Sequence, residues 1–206
     1  LMDSVMLIDL AVSFLFGYIL GSIPFGFVLV YLATKQDIRT IGSGNIGATN
    51  VLRSGYKELA FLTLILDALK GTIAFFIVCL WLPPESAALA GFGSVIGHCF
   101  PVWLRFAGGK GVATGMAVIT VVVPFTGLIM AATWLLVAAF TRISSLSALL
   151  SFVTAGLFVS FGPFENSGIA QITVWGVGLL CWARHKQNIK RILSGEENKI
   201  SFSKKP

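Results

Sequence analysis

Residues 6–33 read MLIDLAVSFLFGYILGSIPFGFVLVYLA, an apolar run longer than the roughly 20 residues a helix needs to cross the hydrocarbon core of a bilayer. Six more runs follow, at about 59–82, 86–104, 112–123, 125–140, 145–162 and 168–183. Their lengths suit helices better than barrel strands, and a helix satisfies its own backbone hydrogen bonds in lipid. Composition agrees: 56% of the 206 residues are hydrophobic, 12% are charged and mean hydropathy is +0.88, beyond the apolar usage of soluble domains. The runs leave no room for a separate soluble domain, so residues 1–206 are expected to form a single transmembrane domain. The first run has no basic leader and no small-residue cleavage site before polar sequence, and reads as a retained span rather than a signal peptide.

Basic residues orient the runs. Lys35, Arg39, Arg53 and Lys57 follow the first, Arg105 and Lys110 the third, and a cluster from Arg184 to Arg191 the last, which puts all three segments on the cytoplasmic side. Passing from Lys110 back to the cytoplasm at Arg184 takes an even number of crossings, so 112–140 divides near Pro124 into two short spans. The expected fold is an all-α membrane protein, a polytopic bundle of seven transmembrane helices with the N-terminus outside and the C-terminus cytoplasmic. Arg142 then falls inside, while the outer turns 83–86 and 162–168 carry Glu85 and Glu165 but no Lys or Arg. Five spans, with 112–140 re-entrant, keep the same parity and stand as the alternative.

Three cysteines, Cys79, Cys99 and Cys181, lie in apolar segments without CxxC spacing, and read as small buried hydrophobes rather than metal ligands or a disulfide framework. No carboxylate cluster offers itself to magnesium, so no metal and no cofactor is expected. Small residues, Gly17, Gly21, Gly91, Gly93, Gly176 and Gly178, would let helices approach closely.

The chemistry lies in the three cytoplasmic segments. The first, Gly42-Ser43-Gly44-Asn45-Ile46-Gly47-Ala48-Thr49-Asn50-Val51-Leu52-Arg53, interleaves glycines with hydroxyls and amides. It matches G-x-G-x-x-G formally, but no strand precedes it, and the Lys-Ser/Thr of a P-loop is missing. What survives is a loop able to cradle a phosphate. Arg53 lies one turn past Asn50, within reach of the same anion. The second segment, Gly97-His98 through Gly108-Gly109-Lys110-Gly111-Val112-Ala113-Thr114, sets a lysine among glycines where a ligand can come close. His98 reads as a packing histidine. In the third, Arg184-His185-Lys186-Gln187-Asn188-Ile189 with Arg191, His185 and Asn188 share a helical face, whereas Lys186, Lys190 and Arg191 serve equally well against anionic headgroups. Asp67 and Lys70, three apart within the second span, either neutralise each other or connect to the site.

These three motifs, in order and over essentially the whole chain, resemble those of the bacterial acyl-phosphate-dependent glycerol-3-phosphate acyltransferases, small integral membrane enzymes of phospholipid synthesis. The resemblance implies transfer of a fatty acyl group from acyl phosphate to the 1-hydroxyl of glycerol 3-phosphate, giving 1-acylglycerol 3-phosphate and inorganic phosphate. It also implies a multi-pass protein of the bacterial cytoplasmic (inner) membrane with its site on the cytoplasmic face. The His-x4-Asp pattern of other glycerolipid acyltransferases is missing, because Trp103 and Lys190 stand five residues after His98 and His185.

Two phosphate-bearing substrates require cations to outnumber acids, and no carboxylate lies within the motifs. The glycine loop is assigned to the acyl phosphate, through Ser43, Gly44, Asn45, Gly47, Thr49 and Asn50. Arg53, Lys110, His185 and Asn188 are assigned to glycerol 3-phosphate, and His185, Ser43 and Lys110 are the candidate catalytic residues. A mixed anhydride is already activated, so alignment and anion stabilisation carry most of the task. The proton of the attacking hydroxyl goes to His185 or, the favoured route, to the leaving phosphate; an acyl-Ser43 intermediate lacks a base. Expected partners are the two substrates, membrane lipid and a soluble acyl-phosphate-producing enzyme docking on the basic face, and no nucleic acid. A transporter or channel for phosphate or another small anion is the competing class, disfavoured by polar groups gathered on one face rather than at the midplane.

Overall fold

The computed structural model describes residues 4–163 and 167–200, and every regular element among them is helical. Glu165, expected in an outer turn, lies outside the described residues. In chain order the α-helices are α1 Ser4–Gly21, α2 Phe25–Thr34, α3 Ala48–Arg53, α4 Lys57–Cys79, α5 Pro84–Cys99, α6 Val112–Val122, α7 Pro124–Thr141, α8 Ser144–Phe161, α9 Gly168–Arg184 and α10 Lys186–Leu193. Short 3₁₀ turns lie at Ile38–Thr40 and Val102–Leu104. By length and composition, Ser4–Thr34, Lys57–Cys79, Pro84–Leu104, Pro124–Thr141 and Ser144–Phe161 can each cross a membrane. α6, with 11 residues, and α9, with 17, are shorter. The division expected near Pro124 is present, with Pro124 opening α7 directly after Val123.

The first apolar run differs from expectation, being two helices and not one. Pro24 lacks an N–H and its ring collides with the carbonyl one turn back, so α1 stops at Gly21 and α2 begins at Phe25. A break at membrane depth calls for extra hydrogen bonds to the backbone around it. Here Ser22 Oγ donates to the Tyr18 carbonyl at 2.7 Å, and Lys70 Nζ, from α4, donates to the Ile23 carbonyl at 3.0 Å.

α1 and α5 pack backbone to backbone. A Cβ on Gly17 or Gly21 would sit inside the main chain of Ala90 or Ser94, and one on Gly93 or Gly97 inside that of Phe14 or Tyr18. Small residues four apart on both helices permit this approach. Gly178, expected in the same role, has its nearest neighbour, the Phe152 side chain, 3.8 Å from such a Cβ. Around α5 to α9 the core is apolar, with Val95, Val118, Met130, Phe152 and Val177 buried together. The outward faces are apolar too: Leu15, Phe61, Phe76, Leu136, Phe140 and Leu179 are exposed. Ser13, Thr63, Asp67, Lys70, Ser147 and Ser151, by contrast, are buried. An apolar exterior of this extent is the surface of a multi-pass membrane protein, covered by lipid.

Gly93→Leu should break the α1–α5 contact, costing about 1–3 kcal/mol from overpacking, and Gly178→Ala should be neutral. Thermal unfolding in detergent, followed by loss of the monodisperse peak, checks the contrast.

Candidate active site

A cavity of about 370 Å³ opens where the three polar segments meet, lined by residues from all of them. Ser43, Asn45, Gly47, Thr49, Asn50 and Arg53 come from the first, Lys110 and Gly111 from the second, and His185 and Asn188 from the third. Chain segments more than a hundred residues apart thus converge on one space.

The glycine loop holds its shape through Asn50. Gly42 and Gly44 have φ of 59° and 71°, the left-handed region that glycine tolerates best. Asn50 Oδ1 accepts from the Ser43 amide at 2.8 Å and from Ser43 Oγ at 3.1 Å. Its Nδ2 donates to the Ile38 and Ile41 carbonyls at 3.2 and 2.9 Å. Asn50 was expected to donate to a bound phosphate, but both its amide protons are committed to the loop. The Gly44 amide likewise donates to the Ile41 carbonyl at 3.0 Å, and Gly44 does not line the cavity. Both residues shape the loop, Asn50 while lining the cavity beside Ser43, Asn45, Gly47 and Thr49. Ser43 Oγ has no base beside it among the described residues, its partner being the Asn50 carbonyl oxygen.

Lys110 sits on a turn braced from two sides. The Gly109 amide donates to the His98 carbonyl at 2.9 Å, while Arg184 donates to the Gly109 and Gly108 carbonyls at 3.1 and 3.0 Å and lies over the Phe100 ring at 4.9 Å. Arg184 is therefore part of the site's scaffold. By sequence alone it was only the first residue of a basic cluster. Burial, opposed by Glu197 and joined by repulsion from Arg191, Arg53 and Arg184, brings the Lys110 ammonium down to a pKa of about 8. Arg53 donates through Nη2 to the Asn198 carbonyl at 3.0 Å, and its buried Nε has no hydrogen-bond partner among the described residues.

His185 joins α9 to α10 and is buried. Its Nδ1 lies 2.7 Å from the Cys181 carbonyl. A carbonyl only accepts, so Nδ1 carries the proton and Nε2 keeps its lone pair. Burial, added to by Lys110 and Arg184 against the Cys181 bond and Glu197, lowers His185 to a pKa of about 4, and the ring is neutral at pH 7.

Two contributors escaped the sequence reading. Ser145, at the start of α8, and Glu197, in the segment after α10, both line the cavity. Glu197 Oε1 accepts from Asn188 Nδ2 at 2.7 Å and from Ser145 Oγ at 2.9 Å, and Oε2 accepts from Arg191 Nε at 2.6 Å. Burial opposes its charge, but the hydrogen bonds from Asn188, Arg191 and Ser145 prevail and hold the carboxyl below its usual value. Cations were expected to outnumber acids here; instead Glu197 and Asp67, both from outside the three motifs, line the cavity with Arg53 and Lys110. The signal for Ser145 was faint: Arg142 placed the α7–α8 turn on the same side as the motifs.

Asp67 and His98 line the floor. Lys70 Nζ donates to Asp67 Oδ1 at 2.8 Å and lies 2.9 Å from His98 Nδ1, and Thr114 Oγ1 donates to the Asp67 carbonyl at 2.7 Å. The pair is both mutually neutralised and joined to the site. On the remaining side Leu64 of α4, Met116 of α6, and Trp134 and Leu135 of α7 form an apolar wall. Leu64 and Leu135 also reach the outer surface, so this wall is continuous with the lipid-facing exterior.

Residues 11–195 match the family described as glycerol-3-phosphate acyltransferase. The glycerol-3-phosphate acyltransferase of Sinorhizobium medicae is 51% identical over 185 residues, 90% of this chain and 89% of its own. That of Nitrobacter winogradskyi is 50% identical over 191 residues, 92% and 95%. Two crystal structures of PlsY (YgiH), an integral membrane glycerol 3-phosphate acyltransferase, share the fold. The glycerol 3-phosphate form has a TM-score of 0.86 at 35% identity, covering 93% of this chain and 96% of that one. The lysophosphatidic acid form gives 0.83 at 34%, covering 94% and 96%. With three motifs meeting in one cavity and a family match across nearly the whole length, the chain belongs to the glycerol-3-phosphate acyltransferases.

Proposed function

We propose that this protein transfers a fatty acyl group from acyl phosphate to the 1-hydroxyl of glycerol 3-phosphate, releasing inorganic phosphate and leaving 1-acylglycerol 3-phosphate in the membrane. The observation that carries this reading is a cavity with a cationic polar end and an apolar wall open to the exterior. Both substrates bear phosphate, and only one bears a long apolar chain. The acyl chain lies along Leu64, Met116 and Trp134 with its tail in lipid, so no apolar surface need cross water. The donor phosphate meets the loop at Ser43, Asn45, Gly47 and Thr49. Arg53 and Lys110 take the phosphate of the acceptor.

His185 and Asn188 treat the glycerol end differently. Each gives a proton to the protein, to the Cys181 carbonyl and to Glu197, and each keeps an acceptor, Nε2 or Oδ1. Two acceptors on one face suit the two hydroxyls of glycerol 3-phosphate. With a pKa of about 4, His185 is too weak a base to drive deprotonation at neutral pH. It orients the hydroxyl, and a nonbridging oxygen of the departing phosphate takes the proton as the new ester bond forms and the anhydride C–O bond breaks.

The topology that goes with this chemistry has seven crossings, the N-terminus outside and the cavity on the cytoplasmic face of the inner membrane, where a soluble acyl-phosphate-producing enzyme could dock. The short α6, about 16 Å long at 1.5 Å per residue, packs against α4, α5, α7 and α9 and so need not meet lipid all round.

The deciding assay supplies purified protein with labelled glycerol 3-phosphate and either long-chain acyl phosphate or acyl-CoA. Lysophosphatidate should form from acyl phosphate alone. Product from acyl-CoA alone would overturn the donor, and no product from either would bring anion transport forward. His185→Ala should raise the acceptor KM as well as lower kcat; a pure kcat loss, not shared by Asn188→Ala, would restore the histidine to the role of base.

Lys110 supplies a pH test. Its charged form binds phosphate, so kcat/KM should fall as pH rises through about 8. In Lys110→Arg, protonated throughout, this alkaline limb should move up beyond the assay range.

A further inference from the structure

The segment after α10 turns back over the cavity. The Ile200 amide donates to the Arg142 carbonyl at 2.6 Å, and Arg142 Nη2 donates back to the Ile200 carbonyl at 3.2 Å. Closer in, the Asn198 carbonyl takes Arg53 Nη2. Between these anchors the Glu197 side chain is only 2% exposed, although Glu196, Asn198 and Lys199 around it are exposed. A buried carboxylate is costly unless it is fully paired. The chain pairs it with three side chains from two helices: Asn188 and Arg191 on α10, and Ser145 on α8.

One of these pairings fixes a direction. A carboxylate has no proton to give, so only the NH2 of Asn188 can face Glu197. That leaves Asn188 Oδ1 turned away from the carboxylate, with no partner among the described residues, in a side chain that lines the cavity. Without Glu197 the amide could present either end. The same segment also grips Arg53, so both the hydroxyl-reading and the phosphate-reading sides depend on it.

We infer that Glu197 is a positioning residue of the acceptor site: by holding the Asn188 amide nitrogen it keeps Oδ1 ready to accept a hydroxyl proton of glycerol 3-phosphate, and residues 196–200 complete this half of the cavity. The inference rests on the acyltransferase reading above. It assigns Glu197 no contact with the reacting atoms. It also differs from a blocking role, in which the carboxylate would occupy the phosphate position and its removal would speed the reaction.

A double-mutant cycle on the full chain in lipid tests it, using acyl phosphate with glycerol 3-phosphate or with 3-hydroxypropyl phosphate, which lacks the secondary hydroxyl. Glu197→Ala should lower kcat with glycerol 3-phosphate by about tenfold to a hundredfold, the scale of a misaligned reactant, with the KM for acyl phosphate unchanged. The loss should shrink with 3-hydroxypropyl phosphate, which has one hydroxyl fewer to misplace. Added to Asn188→Ala, the Glu197 change should cost little more, because the two act as one unit. Glu197→Gln, isosteric and able to face Asn188 with either end, serves if the alanine protein is not monodisperse, and should show the same coupling. Independent losses, equal losses on both acceptors, an unchanged enzyme or a faster one would each overturn the inference. A wild-type protein that makes no product would instead overturn the acyltransferase reading beneath it.

Discussion

The buried ammonium of Lys70 is the interaction on which the rest of the fold turns. A charge at membrane depth persists only where the protein replaces its water, and Lys70 finds three partners: Asp67 Oδ1, the Ile23 carbonyl and His98 Nδ1. The Ile23 carbonyl belongs to the break at Pro24 and also accepts from the Phe25 amide at 3.1 Å, so the lysine is tied to the break between α1 and α2. His98 Nδ1 lies 2.9 Å from Lys70 Nζ and 3.5 Å from Asp67 Oδ1, so the imidazole is held by both members of the pair. His98 in turn offers its carbonyl to the Gly109 amide, so the turn that carries Lys110 is referenced to the same point. Four elements, the α1–α2 break, α4, α5 and the loop before α6, are thereby set relative to one another around the cavity floor.

On that floor the electrostatics divide the labour. Arg53 and Lys110 line the polar end of the cavity, where low polarity strengthens their pull on phosphate, and burial, joined by repulsion from neighbouring arginines, weakens the hold of Lys110 on its proton. Glu197 offsets part of this charge. Arg184, by contrast, faces backbone carbonyls and an aromatic ring, so its charge works on the loop and not on a ligand.

How much of this was legible in the sequence depends on the range of the interaction. Spans read from apolar runs needed only local composition, and the division at Pro124 followed from one residue. The pairing of His185 with Asn188 followed from helical spacing. The division of the first run at Pro24 was equally local, but the continuous apolarity of residues 6–33 masked it. Gly44 and Asn50 looked like ligand groups because the motif has the right residue types; only the geometry tells an amide that closes its own loop from one that meets a phosphate. Ser145 and Glu197 were out of reach for another reason. Their partnership spans 52 residues, and Glu197 lies in a polar segment that resembles any solvated tail until its neighbours in space are known.

In the reaction proposed above, little basicity is needed from the enzyme. A mixed anhydride has a good leaving group, and that group departs as a phosphate able to carry the proton lost by the hydroxyl. What remains is to bring two anions together and hold a hydroxyl on the correct line. A neutral imidazole is better suited to that than an imidazolium, since only the neutral ring has a lone pair to offer the hydroxyl. The Cys181 carbonyl settles the tautomer and burial keeps the ring uncharged. Placing His185 at the junction of α9 and α10 then couples this acceptor rigidly to the end of a membrane helix, at the depth where an apolar chain ends and a phosphate begins.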